Sequence, residues 1–339
     1  MGRVLGAGII GCGGIATAHA EAYRRSSRAR LVAVCDIRRE RAVAMAERFG
    51  VPRYYTSLEE FLRDPELEVV SICTPHHLHA SQTVAAAEAG KHVLCEKPMA
   101  ISLRQADEMI AACRDNGVKL GIVFQLRFNP LYRRIKEASD GGGFGIPVLA
   151  EAMVKWYREE ARYYFRDEVA KSWRGKRATE GGGALINQAI HTIDLLQWIM
   201  GPVDFLYGIC DTRTHHIEVE DLAVSILRFR SGALGYIVGS VSIKPQETCL
   251  NIYGSEGAVC VRDGRITVWT VKDVKPPSEE EIKTSLTGHN AVVEDFLSAI
   301  VEDREPMVTG EEGRKSLEIV LAIYKASMEE EKVAFPLVE

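Results

Sequence analysis

Along residues 1–125, short apolar runs alternate with longer segments in which apolar positions recur every three or four residues. The short runs are typical of buried strands, and the longer period is that of an amphipathic helix. Their alternation predicts a parallel sheet wrapped by helices, the doubly wound form of an α/β fold. The predicted strands cover 4–10, 31–35, 69–72, 92–95 and 120–123, and the predicted helices cover 15–25, 39–49, 80–89 and 103–116. Gly50, Gly90 and Gly117 follow three of these helices and are predicted to end them.

The order of predicted elements changes after residue 125, where most strand-like runs follow one another without an intervening helix. Consecutive strands with short connections are typical of an antiparallel sheet. We therefore expect a second domain over 126–339, of the α+β class, with an open and mainly antiparallel sheet. Its last helix is able to pack back on the first domain. The predicted helices cover 130–140, 187–200, 290–300 and 311–328, and the predicted strands cover 148–156, 205–211, 222–229, 234–242, 249–254, 258–262 and 266–271.

Length and composition agree with two globular domains. A chain of 339 residues is longer than most single hydrophobic cores. The net charge of −5, from 42 basic and 47 acidic residues, argues against a nucleic-acid partner, because such binding draws on clustered lysine and arginine. No apolar run is long enough to cross a bilayer, and the N-terminal segment lacks the apolar region of a signal peptide. We therefore expect a cytoplasmic protein without a membrane partner.

The cysteines and histidines do not form a metal-binding pattern. None of the eight cysteines belongs to a C-x-x-C pair, so free, structural thiols are expected. His215 and His216 are adjacent, and adjacent residues of a strand point to opposite faces. We therefore expect no bound metal.

A glycine-rich turn joins the first predicted strand to the first predicted helix. It fits the pattern G-x-G-x-x-G/A, which lets the chain turn tightly and brings a pyrophosphate close to the helix N-terminus. Asp36 ends the second predicted strand, about 20 residues after the turn, where an acidic side chain binds the ribose of a dinucleotide. The first domain is therefore predicted to bind a dinucleotide. The turn consists of Gly11, Cys12, Gly13, Gly14, Ile15 and Ala16.

The choice of dinucleotide depends on the charge beside the ribose. The carboxylate of Asp36 would repel the 2′-phosphate of NADP, so NAD is the predicted cofactor. Arg38 and Arg39 follow directly, and a guanidinium is able to hold a 2′-phosphate or stack on adenine. NADP therefore stays an alternative.

Four segments of the sequence carry a family resemblance. They read GIIGCGGIA, CTPHHLH, GKHVLCEKP and GGGALINQAIHTIDLL. Together they resemble the Gfo/Idh/MocA family of glucose-fructose oxidoreductases, inositol dehydrogenases and their relatives. The resemblance implies a Rossmann domain followed by a domain whose open sheet makes dimer or tetramer contacts, and hence a homodimer or homotetramer.

The resemblance assigns roles in the first domain. Lys97 corresponds to the family's catalytic lysine, and Pro98 to a proline whose preceding bond is often cis. Glu96 is expected to place Lys97 or to bind the ribose of the cofactor, while Arg127 is expected near the substrate. The remaining residues expected along the cofactor are Thr74, Pro75, His76, His79 and Gln125. His76 departs from the family, which often has asparagine there.

In the second domain the resemblance points to the predicted helix 187–200. His191 corresponds to the family's catalytic histidine, and Asp194 lies three residues later on the same helical face as a supporting hydrogen-bond partner. Asn187, one turn before His191, stands where the family often has aspartate; it cannot act as a base but still hydrogen-bonds a substrate hydroxyl. The aromatic residues before the glycine triplet, including Tyr163 and Trp173, usually pack a core, but some are able to stack on a sugar or nucleotide base. Arg158 or Arg174 is able to bind phosphate or carboxylate, so Trp173 and Arg174 are candidates for binding the substrate.

These assignments predict an NAD(P)-dependent dehydrogenase that oxidises a secondary hydroxyl of a sugar, a cyclic polyol or a nucleotide sugar. Lys97 and His191 are expected to meet the substrate in the cleft between the domains. The segments around Trp156 and Trp173 also resemble family members that act on UDP-N-acetyl amino sugars or their uronates. Two alternatives are a cofactor-binding regulator without turnover and a glycosidase that oxidises its substrate only transiently with bound NAD. Net formation of NADH distinguishes these candidates: a dehydrogenase forms it, the glycosidase recycles it, and the regulator does neither.

Overall fold

The computed structural model describes residues 3–338, and its N-terminal part alternates strands and helices as the sequence predicts. Six strands form one sheet in the order β3-β2-β1-β4-β5-β6, and every pair in it is parallel. The predicted doubly wound Rossmann sheet is therefore confirmed. The elements are β1 (Leu5–Ile10), α1 (Ala16–Arg25), β2 (Ala29–Cys35), α2 (Arg39–Phe49), β3 (Arg53–Tyr55), α3 (Leu58–Leu62), β4 (Val69–Ile72), α4 (His79–Glu88), β5 (His92–Cys95), α5 (Leu103–Asp115) and β6 (Leu120–Ile122).

The glycines predicted to end three helices have the required backbone conformation. Gly50, Gly90 and Gly117 have φ values of +66°, +70° and +65°, in the left-handed region that favours glycine. The short elements β3 and α3 are absent from the prediction, because three and five residues are too few to show a period.

The rest of the chain contributes a second sheet and most of the remaining helices. Its elements are α6 (Pro130–Asp140), β7 (Pro147–Tyr157), α7 (Glu160–Tyr163), α8 (Glu168–Trp173), α9 (Arg177–Glu180), a π-helical segment (Ala184–Ala189), α10 (Ile190–Met200), β8 (Val203–Asp211), β9 (Leu222–Phe229), β10 (Leu234–Ser240), β11 (Ser242–Gly254), β12 (Ala258–Arg262), β13 (Arg265–Trp269), α11 (Glu279–Thr284), α12 (Gly288–Val301), α13 (Gly310–Glu329) and β14 (Val333–Ala334).

The second sheet has eight strands in the order β13-β12-β11-β7-β10-β9-β8-β14. Only the pair β7 and β10 is parallel among its described strands, so the predicted mainly antiparallel sheet is confirmed. Helices cover one face closely: a Cβ added at Gly239 would lie 2.8 Å from Leu185, and one at Gly208 would lie 2.8 Å from Ile323. Side chains on the opposite face of the central strands, including Ile209 and Ile226, are exposed.

The chain divides into two compact units that differ from the sequence-based division. The first unit contains residues 1–128 and 286–314, and the second contains 129–285 and 315–339. The prediction placed all of 126–339 in one domain. Helix α12 belongs to the first unit because Phe296 packs under Gly121 of β6 and Glu294 accepts hydrogen bonds from Arg28 and Ser26.

Within residues 3–338, no helix is both long and apolar enough to cross a membrane. The eight cysteines are free, and seven of them are buried. Their burial agrees with the expected structural thiols.

Candidate functional site

The glycine-rich turn between β1 and α1 requires glycine at its first position. Gly11 has a φ of +89°, and a Cβ there would lie 2.8 Å from the side chain of Thr74. Gly13 and Gly14 instead face open space, with no atom within 4 Å of an added Cβ. No side chain caps the N-terminus of α1. The turn therefore leaves room and helical N–H groups for an anionic group such as a pyrophosphate.

The carboxylate of Asp36 fixes this turn from the end of β2. Its Oδ2 accepts the N–H of Cys12 at 2.8 Å, and its Oδ1 accepts the N–H of Arg38 at 2.9 Å. Each carboxylate oxygen has a second lone pair, so both keep the capacity to accept a ribose hydroxyl. The neighbouring Ile37 is 89% exposed, which places an apolar surface beside this carboxylate.

His79 joins the two loops that the resemblance assigns to the cofactor. Its Nδ1 lies 2.8 Å from the carbonyl oxygen of Pro98, and its Nε2 lies 2.8 Å from that of Thr74. The peptide bond between Lys97 and Pro98 is cis, as the resemblance implies. His79 is buried, and burial lowers its pKa. Both neighbours are carbonyl oxygens, which only accept, so a neutral ring donates its single N–H to one of them and only a protonated ring donates to both.

Glu96 lies buried at the carboxyl end of β5, between two histidines that the sequence analysis missed. Its Oε1 lies 3.0 Å from Nε2 of His19 and 3.0 Å from Nε2 of His289. Its Oε2 accepts the N–H of Lys97 at 3.2 Å. Burial alone would raise the pKa of Glu96, but the hydrogen bonds from the histidines hold it well below its usual range. The ionised carboxylate thus fixes the backbone at Lys97.

The three side chains also have the chemistry of metal ligands. Suitable atoms of His19, Glu96 and His289 lie within 4.8 Å of one another. In the structure they are joined by hydrogen bonds, which account for their arrangement. No sequence spacing indicates this group, because His289 is the second residue of α12, far along the chain.

Gln125 and Arg127 follow β6 and have different environments. The Oε1 atom of Gln125 is buried and has no hydrogen-bond partner among the described residues. Arg127 is 1% exposed and donates to Glu312 at 2.8 Å. Its guanidinium is thus engaged inside the first unit.

In the second unit, the buried Glu220 binds the start of the π-helical segment. Its two carboxylate oxygens accept the N–H groups of Gly183 at 2.7 Å and Leu185 at 2.8 Å, and the hydroxyl of Tyr324 at 2.8 Å. A Cβ at Gly182 would lie 2.1 Å from that hydroxyl, so glycine is required there. Burial raises the pKa of Glu220 to about 7.

The predicted continuous α-helix over 187–200 is wrong in its first turn. Asn187 lies in the π-helical segment, and His191 lies in the first turn of α10. A π-helix has more residues per turn than an α-helix. The glycines and Glu220 fix this wider turn. Asp194 is buried and accepts the hydroxyl of Ser316 at 2.7 Å.

The structure brings Asn187 together with Trp173 and Arg174. The side-chain amide of Asn187 donates to the buried carboxylate of Glu180 and to the hydroxyl of Tyr163, the latter at 3.1 Å. The guanidinium of Arg174 lies 4.2 Å from the ring centroid of Tyr163 and 4.4 Å from that of Trp173. Glu180 was not predicted, and no motif marks it.

His215 has a structural role in the loop between β8 and β9. Its Nδ1 lies 2.9 Å from Asp221, and its Nε2 lies 2.7 Å from the carbonyl oxygen of Arg158. Asp221 is fully buried and also accepts the backbone N–H groups of Arg213 and Thr214. The adjacent His216 instead contacts Glu160.

Two family models match this chain. Residues 5–124 match the model described as "Oxidoreductase family, NAD-binding Rossmann fold". Residues 132–260 match the model described as "GFO/IDH/MocA C-terminal domain". A curated relative, the 1,5-anhydro-D-fructose reductase of Ensifer adhaerens, is 30% identical over 326 residues, which cover 94% of this chain and 95% of the relative.

Two solved structures resemble the whole chain. One is the WlbA dehydrogenase from Bordetella pertussis in complex with NADH and UDP-GlcNAcA, with 34% identity, a TM-score of 0.90, and coverage of 99% of this chain and 100% of that one. The other is the WlbA dehydrogenase from Chromobacterium violaceum with the same two ligands, with 33% identity, a TM-score of 0.92, and coverage of 99% and 97%.

The environment of Asp221 predicts how stability depends on pH. Burial alone would raise its pKa, but hydrogen bonds from Arg213, His215 and Thr214 hold it below the usual value of 3.8. A lowered pKa in the folded state adds stability above the unfolded pKa, and this is lost as pH falls through the folded value. The free energy of unfolding of the wild type should therefore fall more steeply between about pH 5 and pH 3 than that of Asp221→Asn. Each tenfold difference in the acid dissociation constant between the folded and unfolded states corresponds to about 1.4 kcal/mol.

Urea denaturation at several pH values measures this difference, and Asp204→Asn is a matched control because Asp204 is exposed. Asp221→Asn should also lower stability at neutral pH by about 2–4 kcal/mol, because it turns an amide toward backbone donors. Equal steepness in the wild type and Asp221→Asn would contradict the assigned role.

Proposed function

The chain belongs to the Gfo/Idh/MocA family of oxidoreductases, and from this premise we propose that it is an NAD-dependent dehydrogenase acting on a secondary hydroxyl of a nucleotide-linked sugar. The observation that carries the proposal is the position of Lys97 at the end of β5. The buried carboxylate of Glu96 accepts the N–H of Lys97, and the bond from Lys97 to Pro98 is cis. Ligands of doubly wound sheets bind at the carboxyl ends of the strands, where Lys97 lies.

The residues around the glycine-rich turn fit NAD. Gly13 and Gly14 leave space in front of an uncapped helix N-terminus, and Asp36 has lone pairs for ribose hydroxyls. The unpartnered oxygen of Gln125 is suited to accept an amide N–H, such as that of a carboxamide. When bound, NAD⁺ supplies the hydride acceptor of the reaction.

Lys97 and His191 supply the acid–base chemistry in this proposal. Oxidation of a hydroxyl releases a proton, which a neutral imidazole at His191 is able to accept. A protonated Lys97 hydrogen-bonds the same oxygen and stabilises the charge that develops on it. The roles are exchanged if burial lowers the pKa of the lysine. Asn187 orients the hydroxyl, because an amide both donates and accepts hydrogen bonds.

The substrate class rests on the two similar structures. Both WlbA dehydrogenases bind NADH and UDP-GlcNAcA, a nucleotide sugar whose hexose carries a carboxylate. Asn187 donates to the hydroxyl of Tyr163, whose ring lies beside the guanidinium of Arg174. Arginine side chains suit a sugar with an anionic group. We therefore assign a UDP-N-acetyl amino sugar or its uronate as the substrate, with NADH as a net product.

The exposed face of the second sheet supports self-association. In one cross-strand row, Ile226 pairs with Tyr207 and Tyr236; in the next, Val224 pairs with Ile209. Ile209 is 74% exposed and Ile226 is 59% exposed. Contiguous exposed apolar side chains mark interaction sites. A second copy of the chain is the proposed occupant, giving a homodimer or homotetramer.

The first test of the mechanism removes Lys97 or His191. Lys97→Met and His191→Ala should each lower kcat by about 10²-fold or more, because positioned acid–base groups contribute about 10²–10⁴-fold. The affinity for NAD should stay within about threefold of the wild type. Formation of NADH from NAD⁺ and UDP-GlcNAcA, with separate titration of NAD, measures both quantities.

In the double variant the loss should be smaller than the product of the two single losses, because both groups act on one proton transfer. Asn187→Ala should mainly raise KM. Retention of more than about half of wild-type turnover by Lys97→Met, with chemistry rate-limiting, would contradict the mechanism.

A second test concerns the cofactor. NAD should bind more tightly than NADP, because the carboxylate of Asp36 opposes a 2′-phosphate by about 1–4 kcal/mol in effective dielectrics of 80 to 20. Asp36→Ser should weaken the binding of NAD and reduce the preference for NAD over NADP. Titration of the protein with NADH and with NADPH measures both effects. Glu40→Ser, at an exposed position of α2, is the control. A wild-type affinity about tenfold better for NADP would overturn the assignment.

A third test concerns assembly. Light scattering at micromolar concentration should give a mass of two or four chains, and Ile226→Glu should shift it toward one chain because it places a charge in the apolar face. Met328→Glu is the control, since Met328 is 74% exposed but lies on α13. A monomeric wild type would exclude the proposed interface.

A further inference from the structure

Two arginines of the second unit lie over one aromatic ring. The guanidinium of Arg174 lies 4.2 Å from the ring centroid of Tyr163, and that of Arg158 lies 5.4 Å from it. Trp173 and Trp156 supply further ring faces, at 4.4 Å from Arg174 and 4.8 Å from Arg158. Ring faces attract cations but carry no formal charge, so they do not neutralise the two guanidinium groups.

The acidic groups nearby balance only one of these charges. Glu180 is fully buried and lies 3.6 Å from Arg174. Arg158 forms no salt bridge with any described residue and donates instead to the neutral amide of Gln188, at 3.0 Å. Its Nε atom is buried without a hydrogen-bond partner in the described part of the chain. A guanidinium that is partly buried and lacks an acid is costly unless an anion binds to it.

Hydrogen-bond donors are also in excess here. The hydroxyl oxygen of Tyr163 receives N–H groups from Asn187 at 3.1 Å, from Gln188 at 2.7 Å and from Arg174. A hydroxyl oxygen has two lone pairs, so three donors exceed its capacity to accept. An added oxygen acceptor would relieve this competition. A surplus of donors and one surplus positive charge are what an oxyanion neutralises.

We propose that Arg158 and Arg174, placed by Tyr163, form a subsite that binds the carboxylate of a uronate substrate. A planar guanidinium binds a planar carboxylate through two parallel hydrogen bonds, and one unbalanced charge matches a monoanion. The subsite adjoins Asn187 through the Tyr163 hydroxyl, which places it beside the residue proposed to orient the sugar hydroxyl. It rests on the proposed function and adds the group of the substrate that is recognised.

The experiment compares ligands that differ only in the carboxylate. Titration calorimetry of the full-length protein with NADH present measures binding without turnover, using UDP-GlcNAcA, UDP-GlcNAc and UDP. Arg158→Gln and Arg174→Gln should each weaken the binding of UDP-GlcNAcA by about tenfold or more. The affinities for UDP-GlcNAc and UDP should stay within about threefold of the wild-type values. Arg158→Lys should recover part of the loss, because it restores the charge without the planar fork.

Arg162→Gln is the matched control, since Arg162 belongs to the same segment but its side chain is 84% exposed and forms an ion pair with Glu159 at the surface. It should leave all three affinities unchanged. Equal losses for UDP-GlcNAcA, UDP-GlcNAc and UDP would overturn the proposal and assign the arginines to the diphosphate. Unchanged affinities in both Gln variants would overturn it as well, and a lowered melting temperature would then give the arginines a structural role.

A failure of the proposed function can be distinguished from a failure of the proposed subsite. If no nucleotide sugar reduces NAD⁺, the dehydrogenase assignment for that substrate class is wrong, whereas the subsite is then judged with glucuronate against glucose. Failure of the wild type to bind either uronate would overturn the subsite even if a neutral sugar is oxidised.

Discussion

The position of Lys97 depends on one buried carboxylate. A carboxylate removed from water is stable only when its oxygens accept hydrogen bonds, and Glu96 meets this need with two imidazoles and the N–H of Lys97. His19 is in turn held by Ser71 of β4, so the network extends across two strands. His289 brings the start of α12 into the same network. This hydrogen bond adds to the contacts of Phe296 and Glu294 that hold α12 in the first unit.

In the second unit a buried carboxylate also binds backbone N–H groups, but the charge of its other partners differs. Glu220 accepts backbone N–H groups at the start of the segment that leads to His191, as Glu96 accepts that of Lys97. Glu96 faces histidines that favour its ionised form, whereas the groups bonded to Glu220 are neutral. Burial therefore prevails at Glu220 and raises its pKa to about 7. The pKa of Glu220 thus lies near neutral pH, whereas that of Glu96 is held well below its usual range.

Much of the fold was predictable because periodicity is a local property. The alternation over residues 1–125 and the glycines after the helices depend on neighbours in sequence, and the structure agrees with both. The membership of α12 and the pairing of Glu96 with His289 depend on contacts between distant segments, which no spacing records. The π-helical segment was missed for the same reason, since it requires Glu220 to bind its N–H groups. Lys97 could be predicted as a site residue because its motif is continuous, whereas Tyr163 and Glu180 belong to no motif.

The asparagine at position 187 follows from the buried acid beside it. Its amide donates to Glu180, which is fully buried and also accepts the N–H of Gly175. An aspartate at this position would set two carboxylates together, at a cost of about 1–4 kcal/mol at 4 Å in effective dielectrics of 80 to 20. The amide removes that repulsion while the negative charge remains at Glu180, where Arg174 lies near it. The two carboxylate oxygens of Glu180 accept the N–H groups of Gly175 and Asn187. The acid–base work of the proposed reaction falls to Lys97 and His191, and Asn187 is left to orient the hydroxyl.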